Sequence, residues 1–278
     1  MTEAAIIKYK GSVNSVLFAD NWNELSAKML LYIGEYWESW RLMARGEQSM
    51  LKVKALLVME AVCDSVKLNK KVCADVIAMA EPMKQYELCE AWNWLFEVNT
   101  LTKCPVVMIE SALNGKEVML YAPSDGLGNI LCLEMHFADK MYLQYNESGN
   151  EDFLNLLIGC IYRPRKVGSE EREAFDNYKV KLHLKTIEKM DYAVKMTILL
   201  WFIGCRGTIV NQFKSLFGGK GSNNEGWMPI ITEMSGYKYG NFREVAQESF
   251  LLILTELKRM QEVKMKSTPM ADAVDEGN

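Results

Sequence analysis

Histidine is scarce: His136 and His183 are the only two in 278 residues, and none of the seven cysteines forms a Cys-x-x-Cys pair. Structural zinc sites draw on clustered Cys and His, so this spacing argues against one. The cysteines fall at positions 63, 73, 89, 104, 132, 160 and 205, an odd number at irregular intervals. That pattern argues against a disulfide framework and fits free core thiols in a reducing compartment. The first residues, MTEAAIIKYKGS, lack a basic head followed by an apolar run, so no signal peptide is expected. The most apolar window, Met196 to Cys205, is about half the length needed to span a bilayer. A net charge of −4 gives no overall attraction to nucleic acid or to an anionic membrane. No catalytic signature stands out, and no cofactor or metal is implied.

What is present is an ordinary globular composition, 49% hydrophobic and 24% charged, in a chain long enough to bury a substantial core. Its length suits one large domain or two small ones. Residues 6–19 read as a short hairpin or an extended arm. Ser26 stands as an N-cap before Leu30, Ile33, Trp37 and Trp40, whose spacing predicts a helix over 27–44. Further helices are predicted at 49–66, at 70–80 (stopped before Pro82) and at 84–98. The period then changes. Two β-prone runs flank Asn114-Gly115, the dipeptide of tight hairpin turns. Helices return at 130–145, 151–162, 175–190, 191–217, 227–234 and 242–264, and 166–173 reads as charged and exposed. The expected architecture is mainly α, a multi-helix bundle with a small β-hairpin insertion. It divides into an N-terminal arm and bundle (1–103), a hairpin and loop (104–128), a C-terminal bundle around helix 191–217 (129–266) and a disordered tail (267–278).

Several groups invite a functional reading. Phe217-Gly218-Gly219-Lys220-Gly221-Ser222 departs from the Walker spacing and follows a helix, so it reads as a helix cap and connector. A Cys205–His136 pair would need an orienting acid to serve nucleophilic catalysis, and both histidines read as structural or exposed. Glu60 and Asp64 share a helical face, but without Glu-x-x-His companions they read as solvated surface. Between Arg163 and Lys189 stand eight Lys/Arg against five Asp/Glu. Arg163, Arg165, Lys166, Lys179, Lys181 and Lys185 are the best candidates for phosphate contact, although interspersed acids weaken the field. Seven Trp and 18 Met exceed what one core of this size needs. Trp92 and Trp94 cannot both face inward from one α-helix. Interface cores are rich in aromatics, so Trp37, Trp40, Trp94, Trp227, Tyr237 and Tyr239 are the interaction candidates, against the alternative of simple core packing.

Certain stretches, taken together, carry a resemblance. They are Trp22-Asn23-Glu24-Leu25-Ser26; Phe137-Ala138-Asp139 with Tyr142 and Tyr145; and Ile161-Tyr162-Arg163-Pro164-Arg165. Ala193-Val194-Lys195 running to Gly204-Cys205-Arg206, Gly226-Trp227 and Met234-Ser235-Gly236-Tyr237-Lys238-Tyr239-Gly240 complete the set. In this order the chain resembles a family of poorly characterised proteins of tailed phages and prophages of gut Bacteroidales, over roughly residues 20–45 and 125–260. The resemblance implies a structural or assembly protein, chaperone-like in tail formation or carried in the virion, and not an enzyme. Its partners would be other phage proteins or copies of itself, in the host cytoplasm or the virion. A nucleic-acid-associated helper using the 163–189 surface is the alternative.

Overall fold

Apolar spacing at helical period governs most of the chain, and the protein is mainly α with two antiparallel β-hairpins. The computed structural model describes residues 2–9, 12–41, 46–66, 71, 89–113, 116–217, 227–236 and 239–267. The helix expected over 70–80 (Lys71 apart), the Gly-rich connector after Phe217 and the tail from 268 lie outside the described residues.

Strands β1 (Thr2–Tyr9) and β2 (Ser12–Phe18) pair antiparallel, so the N-terminal segment is a hairpin rather than an arm. Helix α1 (Ala27–Arg41) begins where expected, with Ser26 Oγ accepting from the Met29 amide at 3.2 Å. Helix α2 (Gly46–Val66) packs along α1 and against β2, burying Val53, Leu57, Val58 and Val62. The helix expected to reach residue 98 is corrected by the structure. The chain turns at 91–92 and continues as a 3₁₀ turn, Asn93–Phe96. Freed from α-geometry, both tryptophans pack inward. Trp92 is fully buried, and Trp94 is half-buried with its indole N–H donating to the Ala19 carbonyl at 3.1 Å.

The second hairpin joins β3 (Met108–Leu113) to β4 (Lys116–Tyr121) across Asn114-Gly115, a two-residue connection that lies outside the described residues. Then come α3 (Cys132–Ser148) and α4 (Glu151–Ile161), a close antiparallel pair. Gly149, at φ 68°, closes α3 in the left-handed region, and Asn150 caps α4 by accepting from the Asp152 amide at 2.9 Å. The helix expected over 175–190 is instead two short ones, α5 (Asn177–Val180) and α6 (Leu184–Glu188), separated by a turn.

Helix α7 (Tyr192–Gln212) is the centre of the packing, with eleven buried residues. It breaks at Phe213 (φ −109°, ψ 25°) before α8 (Lys214–Phe217), so the single helix expected over 191–217 is two. By length and composition α7 could cross a bilayer, which the short apolar window had not suggested. Its apolar stretch is mostly buried inside the protein, however, and its Lys195, 1% exposed, pairs with Glu151. It is a core helix.

Two close approaches lock α7 in place. Thr197 Oγ1 donates to the Leu30 carbonyl of α1 at 3.1 Å, and Gly34 leaves room there: a Cβ on it would stand 2.6 Å from the Ala193 oxygen. At Gly204 the segment 99–102 lies across the helix. A Cβ would stand 2.4 Å from the Leu101 oxygen. Gly207, three residues on, faces open space. The crossing segment is held by Asn99, whose amide donates to the Leu200 carbonyl at 2.8 Å, and by Asn23, whose Oδ1 accepts from the amides of Thr102 and Lys103.

The remaining helices are α9 (Met228–Met234), α10 (Phe242–Ala246) and α11 (Phe250–Ser267). The last two were expected as one. They separate because the Glu248 carbonyl and the Phe250 amide turn aside to bond Cys132 and Ile130 at the start of α3. One hydrophobic core runs from Phe18 to Leu257.

Candidate functional site

The densest polar chemistry in the protein surrounds Glu134, in the first turn of α3. Its carboxylate is fully buried. Oε2 accepts from the Leu131 amide at 3.1 Å, the reach-back bond of a helix N-terminus. Two guanidinium groups close on the same carboxylate. Arg163 Nη2 donates to Oε2 and Arg172 Nη1 to Oε1, each at 2.6 Å. Backbone geometry delivers both arginines. Arg163 continues the hairpin, exchanging hydrogen bonds with Tyr121 of β4, and Arg172 bridges back to Arg165. Further bonds run to backbone: Arg172 donates to the carbonyls of Ile161 and Asn129 at 3.0 Å, and Arg163 to that of Glu173, while both Nε groups are buried without a partner. Two cations on one buried anion leave one excess positive charge. Burial, with Arg172 nearby, accordingly lowers Arg163 to a pKa of about 10 despite the Glu134 carboxylate.

This triad corrects the reading of the basic stretch. Arg163 is 7% exposed and held by Glu134, which takes it out of reach of a phosphate. Arg172, in the segment expected to be exposed, is buried as well. Arg165 stacks over the Tyr121 ring, 3.9 Å from its centroid, and pairs with Glu170. Lys166 pairs with Glu171 at 2.6 Å and Lys179 with Glu173 at 3.1 Å. Lys181 and Lys185 are exposed. Lys166 and Lys179, distant in sequence, do come together with Arg243 of α10 around an open cleft of about 820 Å³.

Of the aromatic candidates one, Trp227, is core, and Trp37, Trp94 and Tyr239 pack half-buried against the core. Trp22 is buried and meets Trp37 and Trp94 edge-on at 6.4 and 6.0 Å between ring centroids, and Phe18 lies 5.3 Å from Trp92. Trp227 is 5% exposed, edge-on to Phe250 at 4.9 Å. Trp227 therefore lacks the open face a docking anchor needs, because folding has already used it. Trp37 and Tyr239 are half-buried. The Trp40 side chain and Tyr237 lie outside the described residues.

The remaining reactive groups are also structurally engaged. The Cys205 thiol faces the carbonyls of Leu101 and Thr102, whereas the His136 ring packs edge-on to Phe137, so the two have different surroundings. Burial pushes the Cys205 and Cys160 thiols far up, Cys132 to about 12 and Cys104 to about 11, the inert end of thiol chemistry. Glu60, expected on the surface, is 2% exposed and pairs with Lys28, while Asp64 is exposed. Asp139 pairs with Arg206 in the same buried manner. Among the described residues no group of three His, Cys, Asp or Glu side chains could hold a metal ion.

One pairing escaped the sequence. Ser111 Oγ lies 3.1 Å from His183 Nδ1 and 3.1 Å from Thr186 Oγ1, joining β3 to α6. A serine beside a histidine is nucleophile geometry in outline. Here both side chains are buried, 4% and 7% exposed, and neither borders the cleft. The contact pins the hairpin to the short helices.

The class this fold and these interactions define is a mainly helical bundle held by buried ion pairs. Compared with known proteins, the chain matches no family model, no curated protein and no solved structure.

Proposed function

We propose that the protein is a structural or assembly protein of a tailed phage or prophage, acting by protein–protein contact as a tail-assembly chaperone or a virion component. The observation that carries this reading is how the buried ionisable groups are used. Glu60, Glu134, Asp139 and Lys195 each end in an ion pair within the fold, and the buried thiols are pushed far from the thiolate state. Groups arranged this way hold a shape, and a protein valued for its shape works by contact. The resemblance of its Trp22–Ser26, Ile161–Arg165 and Met234–Gly240 stretches to phage proteins supports the same role. Exposed apolar side chains, Val107, Met108 and Leu182 among them, are available for such contacts.

Mass spectrometry of purified virions and of infected cells separates the two forms of the proposal. A virion component is found in the particles; a chaperone is found only in cells, bound to phage tail proteins. Recovery as a free monomer from infected cells, with none in particles, would remove both. The alternative, a nucleic-acid-associated helper, draws on the exposed Lys181 and Lys185. Binding of that kind weakens steeply with salt, and salt-independent binding would dismiss it.

A further inference from the structure

The cleft between the 163–179 stretch and α10 has features the assembly role does not require. Lys166, Lys179 and Arg243 reach it from three separate segments, against the two carboxylates of Glu173 and Asp176. Arg243 is exposed, and its guanidinium has no ion-pair partner among the described residues. The lysines' partnerships are with exposed or half-exposed carboxylates, a kind of pair that contributes little and exchanges readily. Asp176 is occupied in accepting the Tyr178 amide at 2.9 Å. Behind the Phe175 wall lies the excess positive charge of the Glu134–Arg163–Arg172 triad, with the Arg163 guanidinium 6.0 Å from the Phe175 ring centroid. The surrounding low-dielectric protein screens that charge poorly, so it adds to the field in the cleft.

The wall is also rigid. Gln247, just past α10, takes the Phe175 amide at 3.1 Å and donates back to its carbonyl at 2.9 Å. This clamp fixes Phe175 to the helix that carries Arg243, so the cleft is built before any ligand arrives. Tyr178, on the rim, is 82% exposed. A flat ring left in water beside a cationic cleft is a stacking platform.

We propose that this cleft binds a phosphorylated ligand of nucleoside-monophosphate size, its phosphate met by Lys166, Lys179 and Arg243 and its flat ring laid on Tyr178. The volume suits such a molecule. Phosphate recognition by arginine and lysine and stacking on tyrosine are separate contributions, so each can be removed alone.

The test is equilibrium titration of the full chain, and of its Lys166→Glu, Arg243→Glu and Tyr178→Ala variants, with inorganic phosphate, a nucleoside monophosphate and a single-stranded oligonucleotide. All three substitutions fall on exposed side chains, and unchanged thermal melting verifies that each variant folds. The expected result is saturable binding of the monophosphate, tenfold or more weaker in Lys166→Glu and in Arg243→Glu. In Tyr178→Ala it falls to the level of inorganic phosphate. No saturable binding, or binding indifferent to all three substitutions, overturns the proposal. An oligonucleotide whose salt dependence requires more than about three phosphates would also overturn it, since that describes an extended nucleic-acid interface. The assembly reading stands or falls separately, on where the protein is found in infected cells.

Discussion

Replacing Glu134 by Gln keeps the size of the side chain and deletes one charge. In the native protein that carboxylate is wholly buried and meets two guanidinium groups at 2.6 Å. The amide can accept from only one of them, and its NH₂ then faces the other, donor against donor. Removing one partner of a buried pair costs about 3–5 kcal/mol, because the remaining charge stays desolvated without compensation. Two arginines are left behind here, so about 4 kcal/mol is a moderate expectation. With an unfolding entropy of ~2.1 cal/mol/K per residue, 278 residues give ~580 cal/mol/K and a fall in Tm of about 7 °C. Circular dichroism melting reads this directly, and urea unfolding should show a lower midpoint at unchanged slope. A companion variant, Glu134→Leu with Arg163→Met and Arg172→Leu, should recover much of the loss, since it removes the buried charges together. A Glu134→Gln protein melting within about 1 °C of the native one would show that water reaches the triad, and the reasoning from burial would fail.

Other expectations follow from single positions. Gly204→Ala places a Cβ against the backbone of Leu101 and should cost about 1–3 kcal/mol, whereas Gly207→Ala meets open space and should gain about 1 kcal/mol of helix propensity; equal effects in denaturant unfolding would contradict the packing at 99–102. Burial lowers the pKa of His183 and of His136, with Lys140 adding to the effect at His136 while Glu173 and Asp139 oppose it. The neutral forms therefore contribute stability that is complete above the ordinary histidine value near 6.5 and is lost as pH falls through the lowered folded values. His183→Gln should flatten that decline below about pH 6.5; an unchanged slope would place the proton uptake elsewhere. Thiol labelling at pH 8 with peptide mapping should leave Cys132, Cys160 and Cys205 unmodified until denaturant is added, and rapid native labelling of any of them would contradict their burial.

Much of the fold was legible, and the places where it was not share a cause. Helices α1 to α4 and the hairpin around Asn114-Gly115 follow from local periodicity and turn chemistry, so their positions came from the sequence to within a few residues. The misread segments are those where a distant partner competes with local helix. Residues 177–188 turn midway where His183 reaches Ser111, and residues 247–249 leave the helix to bond the start of α3. Phe242 to Leu257 carries a continuous helical pattern, and nothing within it reveals that break. The Glu134 triad was hidden for a different reason. A cluster of Arg and Lys among acids reads as a solvated face, and only the bridges Tyr121–Arg163 and Arg165–Arg172 turn two of those arginines inward. At Gly204 only the folded structure shows which backbone comes close to the helix, the segment 99–102.

The most direct measurement of the proposed role is electron microscopy of particles produced by a phage or prophage from which this gene has been deleted. The assembly account predicts a large loss of intact tailed particles, restored when the intact gene is supplied in trans. Particles normal in number and in tail morphology would contradict it.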